Sequence, residues 1–265
     1  MQSDQPNADT SLLPSLPHEP VNVTGVNITP VSVDELHQYM AAVIAADQSV
    51  IIPNVNVYAL NLAAKEPWLK EFFNQAPLVF CDGTGVILGA RLLGQKIPER
   101  ITYADWMWQL GAFAAERGYS FFLLGSDKGI AQKAAESMQS RIPDLKIAGW
   151  HHGYFDKRPD SAENMHVLAL INQAKPDILV IGFGMPLQEH WLMENWDGLN
   201  VHIALTGGAV FDYVSGTLQR APTWMTNHGL EWLGRMLIEP GRLWKRYVIG
   251  NPTFLTRVLN ERMRR

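Results

Sequence analysis

Short apolar runs that alternate with longer amphipathic stretches constrain this chain more than any other feature. Ser49–Ile52, Leu78–Phe80, Tyr119–Leu124, Leu145–Ala148, Asp177–Ile181 and Val201–Leu205 read as strands. The stretches near 56–74, 84–93, 104–117, 127–140, 161–174 and 186–195 between them read as helices. Parallel strands need a crossover between neighbours, and strands covered on both faces are apolar almost throughout instead of alternating. The pattern predicts an α/β fold: a Rossmann-like, mostly parallel sheet with helices on both faces. Upstream, Val21–Ile28 alternates apolar and polar residues as an edge strand does. Ser32-Val33-Asp34-Glu35 is a capping box that opens a helix to about Ala46.

The two ends differ from this body. Residues 1–20 hold Pro6, Pro14, Pro17 and Pro20 among polar residues and read as a disordered leader. An α/β domain follows over 21–210. Residues 211–265 contain no convincing strand but carry Trp224, Trp232 and Trp244 with interleaved arginines, a helical, basic C-terminal appendage. Within it, residues 231–265 hold eight basic and three acidic side chains, a balance of +5 against −9 for the preceding 230 residues. A basic tail on an acidic body suits an anionic partner: a membrane surface, a pyrophosphate or a nucleic acid. Arg242, Lys245 and Arg246, at i, i+3 and i+4, are expected on one helical face beside an apolar strip, as in helices that lie at a membrane interface. The alternative is a terminal helix docked on its own domain or on a second subunit. A single cysteine, Cys81, rules out an internal disulfide and a multi-cysteine metal site. No basic-then-apolar leader and no apolar run of about 18–20 residues is present, so an integral membrane protein is not expected; the single cysteine fits a reducing cytoplasm, and a cytoplasmic protein peripherally associated with the membrane is expected.

Chemistry concentrates where strands end. Gly184-Met185-Pro186-Leu187-Gln188-Glu189 places a glycine turn, a helix-starting proline and an amide–carboxylate pair after Asp177–Ile181. Ligands of open α/β sheets bind at such strand ends. Gln188 and Glu189 either read a base or sugar there or form a solvated first helical turn. Cys81-Asp82-Gly83-Thr84-Gly85 repeats the arrangement with a lone carboxylate in apolar surroundings. Asp82 is either a general base whose pKa is raised by burial or a helix N-cap. The two turns suggest a small-molecule enzyme whose donor pocket and base sit on separate loops of one sheet.

Asn54 and Asn56 end the first core strand and serve either a ligand or the turn itself. Arg100 is a candidate for a phosphate. Gly207 and Gly208 form a further turn before Asp212, which accepts from a ribose or uracil or caps the next helix. Leu124-Gly125-Ser126-Asp127 and Gly182-Phe183-Gly184 lack the full dinucleotide fingerprint and the P-loop lysine. His151 and His152 have no third ligand at a useful spacing, no Asp-x-Asp clamp occurs, and no Gly-x-Ser-x-Gly elbow is present. No metal and no cofactor is expected.

Taken in order, these segments resemble the WecG/TagA/CpsF family of bacterial glycosyltransferases. The resemblance rests on Pro53-Asn54-Val55-Asn56, Cys81-Asp82-Gly83-Thr84-Gly85-Val86, Pro98-Glu99-Arg100 and Phe122-Leu123-Leu124-Gly125. It continues through Gly153-Tyr154-Phe155, Gly182 to Glu189, Thr206 to Asp212 and Arg220-Ala221-Pro222. Gly229 to Arg235 and Glu239-Pro240-Gly241-Arg242 close the series, which spans roughly residues 21–250. It implies inverting transfer of a hexose-type sugar from a UDP-sugar to a polyprenyl-diphosphate-linked sugar. That sugar would be N-acetylmannosamine, its uronic acid or glucose, added at the inner face of the membrane during surface-polysaccharide or cell-wall polymer synthesis. The family's base falls on Asp82. Its binding residues fall on Asn54, Arg100, Gln188, Glu189 and Asp212, with the glycines Gly184, Gly207 and Gly208, and its tail arginines on Arg235 and Arg242. The chain departs from the family at Ile52, where many members carry Thr, at Ala104, where many carry Gly, and at Leu187, where Lys is usual. With no metal clamp, arginines and helix N-termini would stabilise the departing UDP.

Two other readings stand beside this one: the same chemistry on a soluble acceptor, and a nucleotide-sugar-binding regulatory module without catalysis. A nucleic-acid partner has no recognisable motif in its favour. A homo-oligomer is compatible with the sequence.

Overall fold

The computed structural model describes residues 13–227 and 231–265, with the side chains at 223, 227 and 242 outside the description. Most of the leader (residues 1–12) therefore lies outside the described residues, as do residues 228–230 of the Gly229 to Arg235 motif.

The described chain opens with β1 (Val21–Val23) and β2 (Val26–Ile28), paired antiparallel. The single edge strand expected over Val21–Ile28 is thus a hairpin. Thr24 (φ 52°) and Gly25 (φ 90°) both take the left-handed conformation, which matches the twist of a two-residue hairpin turn and reverses the chain. Helix α1 (Val33–Ala45) begins at the capping box: Glu35 N donates to Ser32 Oγ, and Ser32 N donates to the Glu35 carboxylate at 2.8 Å.

Next come β3 (Val50–Ile52), β4 (Asn54–Val55), α2 (Val57–Ala63), α3 (Pro67–Gln75), β5 (Phe80–Cys81), α4 (Thr84–Leu92) and α5 (Tyr103–Arg117). The stretch 56–74 is two helices instead of one, because Pro67 supplies no N–H to a preceding turn and starts a new helix. Then follow β6 (Ser120–Gly125), α6 (Ile130–Arg141), β7 (Lys146–His151), α7 (Ala162–Ala174), β8 (Ile178–Gly182), α8 (Leu187–Asn195), β9 (Ile203–Thr206) and α9 (Val210–Val214).

Five of these strands form a wholly parallel sheet in the order β3-β9-β8-β6-β7. The expectation of strands buried on both faces holds for the central strands β9, β8 and β6 but not for the edge strand β7, which has no buried residue. Phe121 and Leu123 of β6, with Ile178 and Val180 of β8, enter one core, while Phe122, Leu124, Leu179 and Ile181 enter the other. The chain leaves β6 toward β7 on one side and returns as β8 on the other, so the switch point opens beyond Gly125 and Gly182. These strands run so close there that a side chain on Gly125 (φ 152°) would meet the Gly182 carbonyl oxygen at 2.5 Å.

The Asp82 turn does not belong to this sheet, contrary to the one-sheet expectation. Pro53 has no N–H for the ladder, and the chain parts there from β3. β4 pairs instead with β5 in a separate two-stranded parallel sheet, with Phe80 N donating to the Pro53 carbonyl at 3.2 Å.

The C-terminal stretch forms α10 (Thr223–Asn227), α11 (Glu231–Ile238), α12 (Pro240–Trp244), a wide π-type turn Lys245–Ile249, and α13 (Gly250–Arg264). Phe254 and Val258 of α13 are buried in the same core as β6 and β8. Gly89 of α4 admits them, since a Cβ there would meet Phe254 Cζ at 2.6 Å.

Candidate active site

A cavity of about 840 Å³ opens at the C-terminal ends of β4, β5, β8 and β9, closed over by α11, α12 and the start of α13. Asp82, Asn54, Arg100, Gly184, Gly207, Gly208 and Arg235 all face it. Three chain segments expected to supply a base, a glycine cradle and tail arginines are therefore brought to one place.

Asn54 is almost fully buried, and its side chain is held from two sides. Thr206 Oγ1 donates to Asn54 Oδ1 at 3.2 Å, which fixes the amide so that Asn54 Nδ2 donates to Asp82 Oδ2 at 3.1 Å. Asp82 is anchored through its backbone N–H to the Val55 carbonyl at 2.8 Å. Its carboxylate keeps some surface because it faces the cavity, but protein crowds it on the remaining sides. That burial, with the Glu231 carboxylate nearby, pushes its pKa up to about 7 against the opposing pull of Thr102, Arg100 and Arg235. A carboxylate that titrates near neutrality is suited to take a proton and later release it. The adjacent Cys81 thiol is pushed by burial up to about 12 and is no nucleophile. Asn56, by contrast, does turn chemistry: its Oδ1 caps α2 by accepting from Tyr58 N and Ala59 N.

Gln188 and Glu189 are neither a solvated first turn nor cavity-lining groups. Both are fully buried under the glycine turns. Gln188 Oε1 accepts from Gly184 N at 3.2 Å and from Gly208 N at 3.1 Å, so one amide clasps the turns that follow β8 and β9. Its Nε2 donates to Glu189 Oε1 at 2.8 Å. Glu189 Oε2 has no hydrogen-bond partner among the described residues, and burial pushes this carboxyl up to about 7. Asp212 lies on α9, outside the residues that line this cavity, and accepts from Ser126 Oγ at 2.9 Å, tying α9 to the turn after β6. Arg100 is engaged by Glu231 of α11, Nη1 to Oε2 at 2.8 Å, where the sequence reading left it open for a phosphate.

Among the tail arginines, Arg235 reaches the cavity and sits over the Tyr213 ring at 5.5 Å. Arg242 lies on α12, and its side chain is outside the described residues. Arg246 was expected on one face with Lys245 and Arg242. Instead it turns into the cavity over the Tyr58 ring at 4.5 Å, while Lys245 stays exposed. The π-type turn Lys245–Ile249 is wider than an α-turn and rotates the face, and no sequence signal gives that turn away. The Nε groups of Arg235 and Arg246 are buried without a hydrogen-bond partner among the described residues. Two desolvated cations with donors to spare at one cavity suit a diphosphate. Tyr103 also went unnoticed in the sequence: it is buried at the cavity wall with its hydroxyl unpartnered among the described residues.

The His151 and His152 rings lie 4.3 Å apart, tilted by 36°. Among the described residues, no group of three or more His, Cys, Asp or Glu side chains could hold a metal.

The model of the Glycosyl transferase WecG/TagA/CpsF family matches residues 21–265. An N-acetylglucosaminyldiphosphoundecaprenol N-acetyl-beta-D-mannosaminyltransferase of Bacillus subtilis (strain 168) is 29% identical over 217 residues, covering 81% of this chain and 82% of its own length. The protein of the same name from Staphylococcus aureus (strain MRSA252) is 30% identical over 198 residues, covering 75% of this chain and 74% of its own length.

Proposed function

The chain belongs to the WecG/TagA/CpsF family of glycosyltransferases, and from that premise we propose that it moves N-acetylmannosamine from its UDP derivative onto a polyprenyl-diphosphate-linked N-acetylglucosamine, with inversion. It is a glycosyltransferase acting on a lipid-linked sugar in cell-wall or surface-polymer synthesis. The sugar and the acceptor are those named for its relatives. The observation that carries the mechanism is the placement of Asp82, a carboxylate with a pKa near neutrality, in one cavity with the unpaired donors of Arg235 and Arg246.

In this reading Asp82 takes the proton of the acceptor hydroxyl. The oxygen attacks the anomeric carbon from the face opposite the nucleotide, and the bond to the diphosphate oxygen breaks with its electron pair. UDP leaves carrying the new negative charge, which Arg235 and Arg246 would offset from the cavity wall. Asn54 holds the carboxylate in line. Gln188 and Glu189 keep the glycine turns close enough together for backbone to approach the donor. Arg242 and Asp212 remain candidates for the donor's outer parts.

No helix among the described residues is long and apolar enough to cross a membrane. Trp224, Ile238, Trp244, Val248 and Ile249 expose large apolar side chains beside the cavity's covering helices, with Lys245 among them. Apolar rings next to a cation suit the headgroup boundary, so we assign this face to the peripheral membrane contact that a lipid-linked acceptor requires. Residues 211–265 then act as the cover that joins cavity to bilayer, on the α/β body of 21–210.

The test is direct. Purified protein, UDP-N-acetylmannosamine and a short-chain lipid diphosphate-N-acetylglucosamine are incubated, and the lipid is weighed by mass spectrometry. A mass gain of one N-acetylhexosamine that needs both substrates supports the assignment. A gain from a different UDP-sugar alone would reassign the donor, and transfer to a free sugar would reassign the acceptor.

A further inference from the structure

We propose that Glu231 is a positioning residue for the transfer step, engaging Arg100 in competition with the Asp82 carboxylate and so tying the seating of the C-terminal segment to the charge around the base. This rests on the reading of Asp82 as that base.

Glu231 is the first residue of α11, and its side chain is only 13% exposed. Its Oε2 accepts from Arg100 Nη1 at 2.8 Å, and its Oε1 stands 3.7 Å from Arg220 Nε. Arg220 is itself held by Asp105 of α5, its Nη2 donating to Oδ2 at 2.6 Å. A carboxylate from the C-terminal segment thus closes a charge ladder that begins on the body, and both Glu231 and Arg100 face the cavity beside Asp82. Arg220 and Glu231 flank α10, so the ladder also pins the chain that carries Arg235.

The physical consequence follows from the signs. A guanidinium free to approach Asp82 would stabilise its ionised form and weaken it as a base. With Glu231 seated, Arg100 is paired with another carboxylate, which blunts its pull on Asp82, and Glu231 itself disfavours a second negative charge beside it. The titratable groups acting with Asp82 are Cys81, Arg100, Tyr103, Glu231, Arg235 and Arg246. Among these Glu231 is the carboxylate that opposes ionisation of Asp82, and it comes from the C-terminal segment together with Arg235 and Arg246. The seated segment therefore supplies both the cations for the leaving group and the carboxylate that keeps the base proton-hungry.

The experiment uses the full chain and two readouts. In protein carrying ¹³C-labelled aspartate, with D82N assigning the signal, the Asp82 carboxyl is titrated without substrate in wild type and in Glu231→Gln. Gln still accepts from Arg100 but carries no charge, and the midpoint is expected to fall by about one pH unit. The acid limb of kcat/KM for transfer is expected to fall with it, while Glu231→Asp keeps both close to wild type. Should E231Q fail to fold, Arg100→Gln probes the ladder from its other side and is expected to raise the midpoint. An Asp82 signal that titrates in the variants as in wild type would overturn the proposal. If D82N still catalyses transfer, the reading of Asp82 as base fails instead, and the carboxyl titration still decides whether Glu231 sets its surroundings.

Discussion

Asn54, on β4, and Asp82, 28 residues on and just past the end of the paired strand β5, meet through a 3.1 Å hydrogen bond from amide to carboxylate. Thr206, at the end of β9 in the main sheet, holds the far side of the same amide at 3.2 Å. One amide therefore registers the small sheet that carries the base against the large sheet that carries the glycine turns.

Replacing Asp82 with Asn keeps the shape and removes the proton acceptor. Transfer is expected to fall by about 10²- to 10⁴-fold, the usual contribution of a general base. Because the group titrates at about 7, wild-type kcat/KM is expected to rise with pH through neutrality and then level. Initial rates across pH with a lipid-linked acceptor check both statements. A variant that folds and turns over at the parental rate would remove Asp82 from the mechanism.

Gln188→Ala strips the acceptor from two backbone N–H groups, Gly184 and Gly208, at once. Leaving a buried donor unpaired costs about 1–3 kcal/mol, so urea unfolding should show a loss of that order for each donor that water cannot reach. The donor turns lose their clasp as well, and KM for the UDP-sugar is expected to rise more than kcat falls.

Glu189 sets a pH dependence of stability with a definite sign. Its pKa is about 7 when folded against an ordinary value of 4.5. Between those values the unfolded chain has released its proton and the folded chain has kept it, so rising pH favours unfolding. The contribution is complete below pH 4.5 and is lost as the pH climbs through about 7. Glu189→Gln cannot ionise, and its melting temperature is expected to decline less than wild type's between about pH 5 and 8. Parallel slopes in differential scanning fluorimetry would show that Glu189 does not carry this term.

Trp244→Glu combined with Val248→Glu places charges on the exposed apolar face without entering the cavity. Co-flotation with vesicles rich in anionic lipid is expected to drop sharply, with turnover of a water-soluble short-chain acceptor retained. Unchanged flotation would move the membrane contact elsewhere.

Gly89→Val drives a side chain into Phe254 and Val258, where even a Cβ would sit 2.6 Å from Phe254 Cζ. The expected outcome is loss of α13 from its seat, seen as rapid proteolysis near Gly250 and a lower melting temperature. For the same reason a clean truncation before α13 would expose core side chains.

Much of this was legible in the residues. The apolar runs Tyr119–Leu124 and Asp177–Ile181 announced central parallel strands, because burial on both faces leaves no polar position along them. Ser32 and Glu35 announced the start of α1, since their chemistry is local. The Thr24–Gly25 reversal and the break at Pro67 carried turn signals that a single alternating or amphipathic pattern concealed. At the site, Asp82 stood out as a carboxylate between an apolar strand and glycines. The clasp made by Gln188 was not visible, because it depends on where two glycine turns lie in space.

The sequence by itself determined the layer architecture, the strand-end location of the chemistry and the family, since periodicity, turn residues and motif order act over a few neighbours along the chain. Only the tertiary structure decided which charged groups work together. Arg246 enters the cavity because a π-type turn rotates it, Arg100 meets Glu231 across 131 residues, and Glu189 is entombed where a solvated turn was conceivable. Electrostatics and desolvation fall steeply with distance through space, and distance through space is set by packing, not by position in the chain.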